Sequence, residues 1–170
     1  MVKLLGAALV AAGAVSIGYA AVERLRARTA ALRALADALE LMERELCFRL
    51  TPMPELLSDL AGRTLPPADR FFRQCAEGLD ELPKHTLGEL WQAAAAESLP
   101  ALHRNDLTVL LPLGAILGRY SGEEQRQAIA QTTDELRRAH LAAEGEQRQR
   151  GKVYSALSAA AGALLVILLL

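Results

Sequence analysis

Both ends of this chain are apolar, and every acidic residue lies between them. Leu4 to Val22 carries no charge and is broken only by Ser16 and Tyr19, with Lys3 in front. Val153 to Leu170 carries none either and closes on Leu164-Leu165-Val166-Ile167-Leu168-Leu169-Leu170. The acidic residues run from Glu23 to Glu146. A bilayer core takes about 20 apolar residues as helix, and both ends meet or nearly meet that length. The expectation is an integral membrane protein: a transmembrane helix at 1–22, a cytoplasmic helical-bundle domain at 23–152 and a second transmembrane helix at 153–170. The lipid bilayer is then its first partner.

The charges flanking the spans set the orientation. Arg24, Arg26, Arg28 and Arg33 follow the first apolar segment, and Arg148, Arg150 and Lys152 precede the second. Basic flanks stay in the cytoplasm, which places the central block there and two short tails on the far face. A cleaved signal peptide is the rival reading of the first segment, since Gly18-Tyr19-Ala20 offers small residues at a suitable spacing. The weak charge before it, its length and the arginines behind it argue for a retained span. With cleavage, the block would instead be an extracytoplasmic scaffold anchored by its tail. Small residues recur every four positions at Ala8, Ala12, Ser16 and Ala20, and at Ser155, Ala159 and Ala163. Such stripes let helices approach closely in lipid and suit packing between the spans or a homo-oligomer.

The central block is about one domain long. Aromatics make up 4% of the chain while Ala and Leu are abundant, which favours helix-on-helix packing over a sheet. Proline and glycine divide the block into about six helices, so the fold class is all-α, an antiparallel bundle flanked by the two spans. Leu32, Leu35, Leu39, Met42 and Leu46 alternate by three and four, a helical seam. A coiled-coil dimer would use the same pattern, but the repeat is short and favours packing within the chain. Thr51 is placed to cap a second helix, with Pro52 at its first position and Glu55 in its first turn. Pro66-Pro67 starts a third helix. Thr86 with Glu89 makes a capping box for the fourth. A fifth runs roughly from His103 to Leu117, with Pro112 expected to kink it. Gly118 stops that helix, and Ser121 with Glu124 caps a long sixth.

Little in the block suggests catalysis. A formal net charge of -1 argues against a nucleic-acid partner, which calls for a basic patch. Cys47 and Cys75 are too few and too far apart for a disulfide framework or zinc site and read as small buried hydrophobes. His85, His103 and His140 lie on separate segments and read as surface or capping residues. Asp37, Glu40, Glu43 and Glu45 crowd one helix among Arg33, Arg44 and Arg49, a solvated, ion-paired face. Asp134, Glu135, Arg137 and Arg138 read the same way. Trp91 reads as a core or interface anchor. No phosphate-binding glycine loop is present, and no ionisable residue sits at mid-depth of either span. The expectation is a non-enzymatic protein with no cofactor and no metal.

Taken in order, these features resemble the stage III sporulation protein AB family of endospore-forming bacteria. The resemblance rests on an apolar N-terminal segment opening into an arginine-bearing helix and on Leu50-Thr51-Pro52-Met53-Pro54-Glu55. It rests further on Leu113-Gly114-Ala115-Ile116-Leu117-Gly118 with Ser121 and Gln125, and on Lys152 and Tyr154 before the C-terminal apolar segment. Where the family's pattern has an acidic residue just after Ser121, this chain has Gly122, with Glu123 and Glu124 next. That family is similar to the platform proteins of type II secretion and type IV pilus machines, whose cytoplasmic domains are six-helix bundles. The resemblance implies a scaffold in the mother-cell membrane around the forespore, within a secretion-like channel. It implies a secretion-type cytoplasmic ATPase and other membrane proteins of the complex as partners. A self-assembling membrane structural protein is the alternative. Thr51, Pro52, Pro54, Glu55, Gly114, Gly118, Ser121 and Gln125 are the candidate structural or interaction residues.

Overall fold

The computed structural model describes residues 2–49, 51–79, 85–117, 119 and 122–169, with side chains described for 19–46, 51–79, 85–117, 119 and 122–151. Six helices follow one another: α1 (Val2–Arg49), α2 (Met53–Arg63), α3 (Ala68–Gly78), α4 (Leu87–Ser98), α5 (Arg104–Ile116) and α6 (Gly122–Leu169). Among the described residues there is no strand. The all-α expectation and its helix count therefore hold.

Helices α1 and α6 form a long antiparallel hairpin. Their cross-helix contacts run in opposite chain order, from Glu43 with Arg126 and Glu40 with Arg137 to Thr29 with His140 and Arg28 with Glu146. The four short helices connect the two arms, which pack directly on each other. From the end of α1 each packs on the next, α2 on α3, α3 on α4 and α4 on α5, and α5 returns to α6. The hairpin thus has a base, near the chain termini, and a tip, where α1 hands over to α2 and α5 to α6.

The seam on α1 supplies one wall of the core. Leu32, Leu35, Leu39 and Met42 are fully buried, and Leu46 packs against them. The pattern is used within the chain rather than between two copies. The other wall is aromatic. Phe71 and Phe72 of α3 meet Trp91 of α4 edge to face, with centroids 4.6 and 5.9 Å from the indole, an arrangement that the ring quadrupoles favour. The buried indole N–H donates to the Leu110 carbonyl of α5 at 3.1 Å, so Trp91 joins three helices.

The helix starts follow the sequence with one correction. Thr86 and Glu89 form the expected capping box, the Thr86 N–H donating to Glu89 at 2.8 Å and the Glu89 N–H to Thr86 Oγ1 at 3.3 Å. Thr51 does not cap α2. Pro52 occupies the cap position, in extended backbone with no side-chain cap, and Pro54 sits in the first turn. The reason is local: a proline preceding Met53 fixes the entry on its own, and its missing N–H needs no partner. Helix α5 runs unbroken through Pro112, which is exposed. Gly118 and Ser121, with the stop and cap expected of them, lie outside the described residues.

Among the described residues no helix is long and apolar enough to cross a membrane. The two apolar segments fall in the outer parts of α1 and α6. Beyond residues 19–22 their side chains lie outside the described residues.

Candidate functional site

Two stretches singled out in the sequence meet at the tip. Met53 and Pro54 at the start of α2 face Gly114, Leu117 and Arg119 at the end of α5, and the start of α4, Thr86 to Gly88, closes the third side with Leu79. They line an open, mainly apolar groove of about 270 Å³. Some sixty residues separate the two stretches, and the relay of short helices is what brings them together. Thr51 is half-buried beside the groove, while Pro52, Pro54 and Glu55 are exposed.

Gly114 is there for packing. A Cβ at this position would fall 2.5 Å from both Cβ and Cγ of Trp91. No side chain fits, and its absence lets α5 press against the indole that anchors the core. Nearby, Gly88 faces Ala115, where an added Cβ would meet the backbone at an ordinary 3.5 Å. The floor of the groove is therefore tightly packed at Gly114, and Pro54, Thr86 and Arg119 on its rim are exposed.

A second polar constellation lies at the base. Arg28 of α1 donates from Nε to Asp106 Oδ2 at 2.8 Å and from Nη2 to Oδ1 at 2.9 Å. The side chains are 12% and 3% exposed. Asp106 Oδ2 also accepts the His103 backbone N–H at 2.9 Å, so one carboxylate caps the first turn of α5 and ties it to α1. Burial pushes the Asp106 carboxyl up, but the Arg28 guanidinium and the His103 N–H outweigh it and hold it below the usual range. The same hydrogen bonds raise Arg28. Arg28 further reaches Glu146 of α6 at 3.7 Å. Next to it, His140 Nδ1 lies 3.1 Å from the Thr29 carbonyl. Three helices are thus fastened at one level.

This base corrects the reading of Arg28. It is not a free flanking charge but a joint, because it falls on the buried face of α1 with Leu25, Thr29, Leu32 and Leu35. His140 is likewise a helix-to-helix contact rather than a surface or capping residue, whereas His85 and His103 are exposed. Nor is the acidic face of α1 fully solvated. Glu45 is buried and accepts from Arg63 of α2 at 2.8 Å, and Glu40 and Glu43 reach arginines of α6. The remaining basic residues are exposed: Arg24; Arg26, 3.6 Å from Glu23; Arg148, 3.6 Å from Glu144; and Arg150, 2.7 Å from Glu146. The Lys152 side chain lies outside the described residues. Gln125 is half-buried near the start of α6.

Sequence reasoning missed Asp106. The signal was present: His103 and Asp106 have the spacing of a helix cap and its third residue, and an arginine on a buried face needs a carboxylate. Cys75 is fully buried, and burial pushes its thiol up to about 12. Cys47 lies outside the described side chains. Among the described residues no group of three or more His, Cys, Asp or Glu side chains could hold a metal.

A family model described as stage III sporulation protein AB matches residues 3–170. Stage III sporulation protein AB of Bacillus subtilis (strain 168) is 24% identical over 177 residues, covering 100% of each chain. A solved structure of a stage III sporulation protein AB superposes with a TM-score of 0.64 at 22% identity, covering 72% of this chain and 98% of that one. At that identity the superposition speaks for the fold.

Proposed function

The chain belongs to the stage III sporulation protein AB family, and from that premise we propose that it is a two-pass membrane platform whose bundle faces the cytoplasm and receives a secretion-type ATPase at its tip. The observation that carries this reading is the separation of the two ends of the hairpin. The basic base adjoins both apolar segments. The groove lined by Pro54, Leu87, Gly114 and Leu117 lies further along, where α2 begins and α5 ends, with Leu117 ~16 Å of helix rise beyond Asp106. With residues 1–22 and 153–170 in the bilayer, the groove stands clear of the membrane on the cytoplasmic side, within reach of a soluble partner.

The protein acts here as a scaffold without chemistry of its own. Carboxylates that a catalytic site would need, Glu40, Glu45, Asp106 and Glu146, serve as joints between helices. A tightly packed floor of Gly114 on Trp91, under a rim where Pro54, Thr86 and Arg119 are exposed, suits docking, since little order has to be gained on binding. The secretion-like complex around the forespore is the setting that the family resemblance suggests for it.

The test is binding of the full-length protein, in detergent, to the cognate ATPase. Pro54→Glu and Arg119→Glu, both at exposed rim positions, are expected to weaken binding about tenfold or more while leaving the thermal melt in place. Full-length protein that does not bind, or binding indifferent to both rim substitutions, would contradict the proposal.

A further inference from the structure

The exposed arginines at the base are arranged to change partners. In the antiparallel register set by Arg28 and Glu146, Arg26 stands level with Arg148 and Arg24 with Arg150, so two arginines from each arm share one end of the hairpin. Each acidic partner on α6 has a second basic or imidazole neighbour further in. Glu146 holds Arg150 at 2.7 Å and also Arg28 at 3.7 Å. Glu144 lies 3.6 Å from Arg148 and 3.6 Å from His140 Nε2. Arg150 can therefore leave Glu146 without orphaning it. The outer pairs are solvent-exposed, with Arg148 at 79% and Arg150 at 54%, and exposed pairs of this kind contribute little.

Resting on the reading that residues 1–22 and 153–170 lie in the bilayer, we infer that Arg24, Arg26, Arg148 and Arg150 form a collar that binds the phosphates of anionic phospholipids. Arg24 is two residues past Val22, ~3 Å of helix rise, which sets its guanidinium at headgroup depth. Guanidinium groups match phosphate as a planar fork, and basic residues at a membrane surface attract anionic lipid within about a Debye length. Glu146 is also met from within by Arg28 at 3.7 Å, which draws this carboxylate away from the lipid-facing Arg150. Arg28, locked to Asp106, stays out of the collar.

The experiment reconstitutes the full chain in lipid discs of phosphatidylcholine alone and of phosphatidylcholine with phosphatidylglycerol. The protein is then released into mild detergent and weighed with its retained lipid by native mass spectrometry. Wild type should retain phosphatidylglycerol several-fold above its share of the disc. The triple variant R24Q/R148Q/R150Q should fall to that share, and R33Q/R138Q, which removes two exposed arginines further from the base, should not. Retention at bulk share by wild type, or equal loss in both variants, overturns the collar. Inorganic phosphate should displace the lipid no better than chloride at the same ionic strength; selective displacement would give the collar to a soluble anion and overturn the lipid assignment. Failure to enter either disc would refute the membrane reading itself, a result separate from incorporation without lipid preference.

Discussion

Arg28 and Asp106, 78 residues apart in sequence, are joined by two hydrogen bonds of 2.8 and 2.9 Å and fix the start of α5 to the base of the α1/α6 hairpin. Removing one partner strands the other in a nearly dry site, which costs more than the pair contributes as a unit. Asp106→Leu is expected to destabilise the bundle by about 3 kcal/mol, and Arg28→Met with Asp106→Leu by clearly less. Denaturant unfolding of the two single variants and the double completes the cycle. A double loss equal to the sum of the two single losses would mean that the two residues are not coupled.

The same carboxylate gives acid stability a defined sign. Its folded pKa lies below the ordinary value, so its stabilisation is complete above the unfolded pKa of about 3.9. It is lost as pH falls through the lower folded value. Wild type should lose stability steeply in that acid range, and Asp106→Asn, already weaker at neutral pH, should lose less. Parallel acid profiles for the two proteins would remove Asp106 from the explanation.

Gly114→Ala is expected to destabilise by about 2 kcal/mol, an overpacking cost, because the new methyl would fall on the Trp91 Cβ and Cγ. Trp91 is the chain's single tryptophan, so its fluorescence reports the disturbance directly. An unshifted spectrum together with an unchanged melt would show that α5 can move away without loss.

Cys75 is expected to resist thiol reagents in the folded protein. It is fully buried among the α3 side chains, and its thiol is pushed up to about 12, so both access and the reactive thiolate are missing. In a Cys47→Ser background, labelling should wait for denaturant. Prompt labelling of the native chain would mean that α3 opens readily.

Much of the scaffold was legible because its signals are local. Proline and glycine punctuation gave six helices, the leucine seam on α1 gave the core face, and Thr86 with Glu89 gave a helix start. What escaped depends on contacts distant in sequence. Arg28 was indistinguishable from its neighbours Arg24 and Arg26 until Asp106 arrived from α5. Glu40 and Glu43 looked solvated until the hairpin brought Arg137 and Arg126 across to them. Thr51 was misassigned as a cap because Pro52, the adjacent residue, fills that place. The tip groove was half legible: both of its motif stretches stood out in the sequence, but only the packing of the short helices shows that they meet.

A base at the membrane surface and a tip in the cytoplasm are the central claim, and cysteine accessibility tests it most directly. Glu55→Cys, at an exposed position on α2 beside the tip, is made in the full chain with Cys47 replaced by serine. It is then exposed to a membrane-impermeant maleimide in wall-stripped cells and in inside-out vesicles. The account predicts labelling in the inside-out vesicles alone. Labelling in intact wall-stripped cells would put the tip outside, beyond the reach of any cytoplasmic ATPase, and would contradict the platform reading.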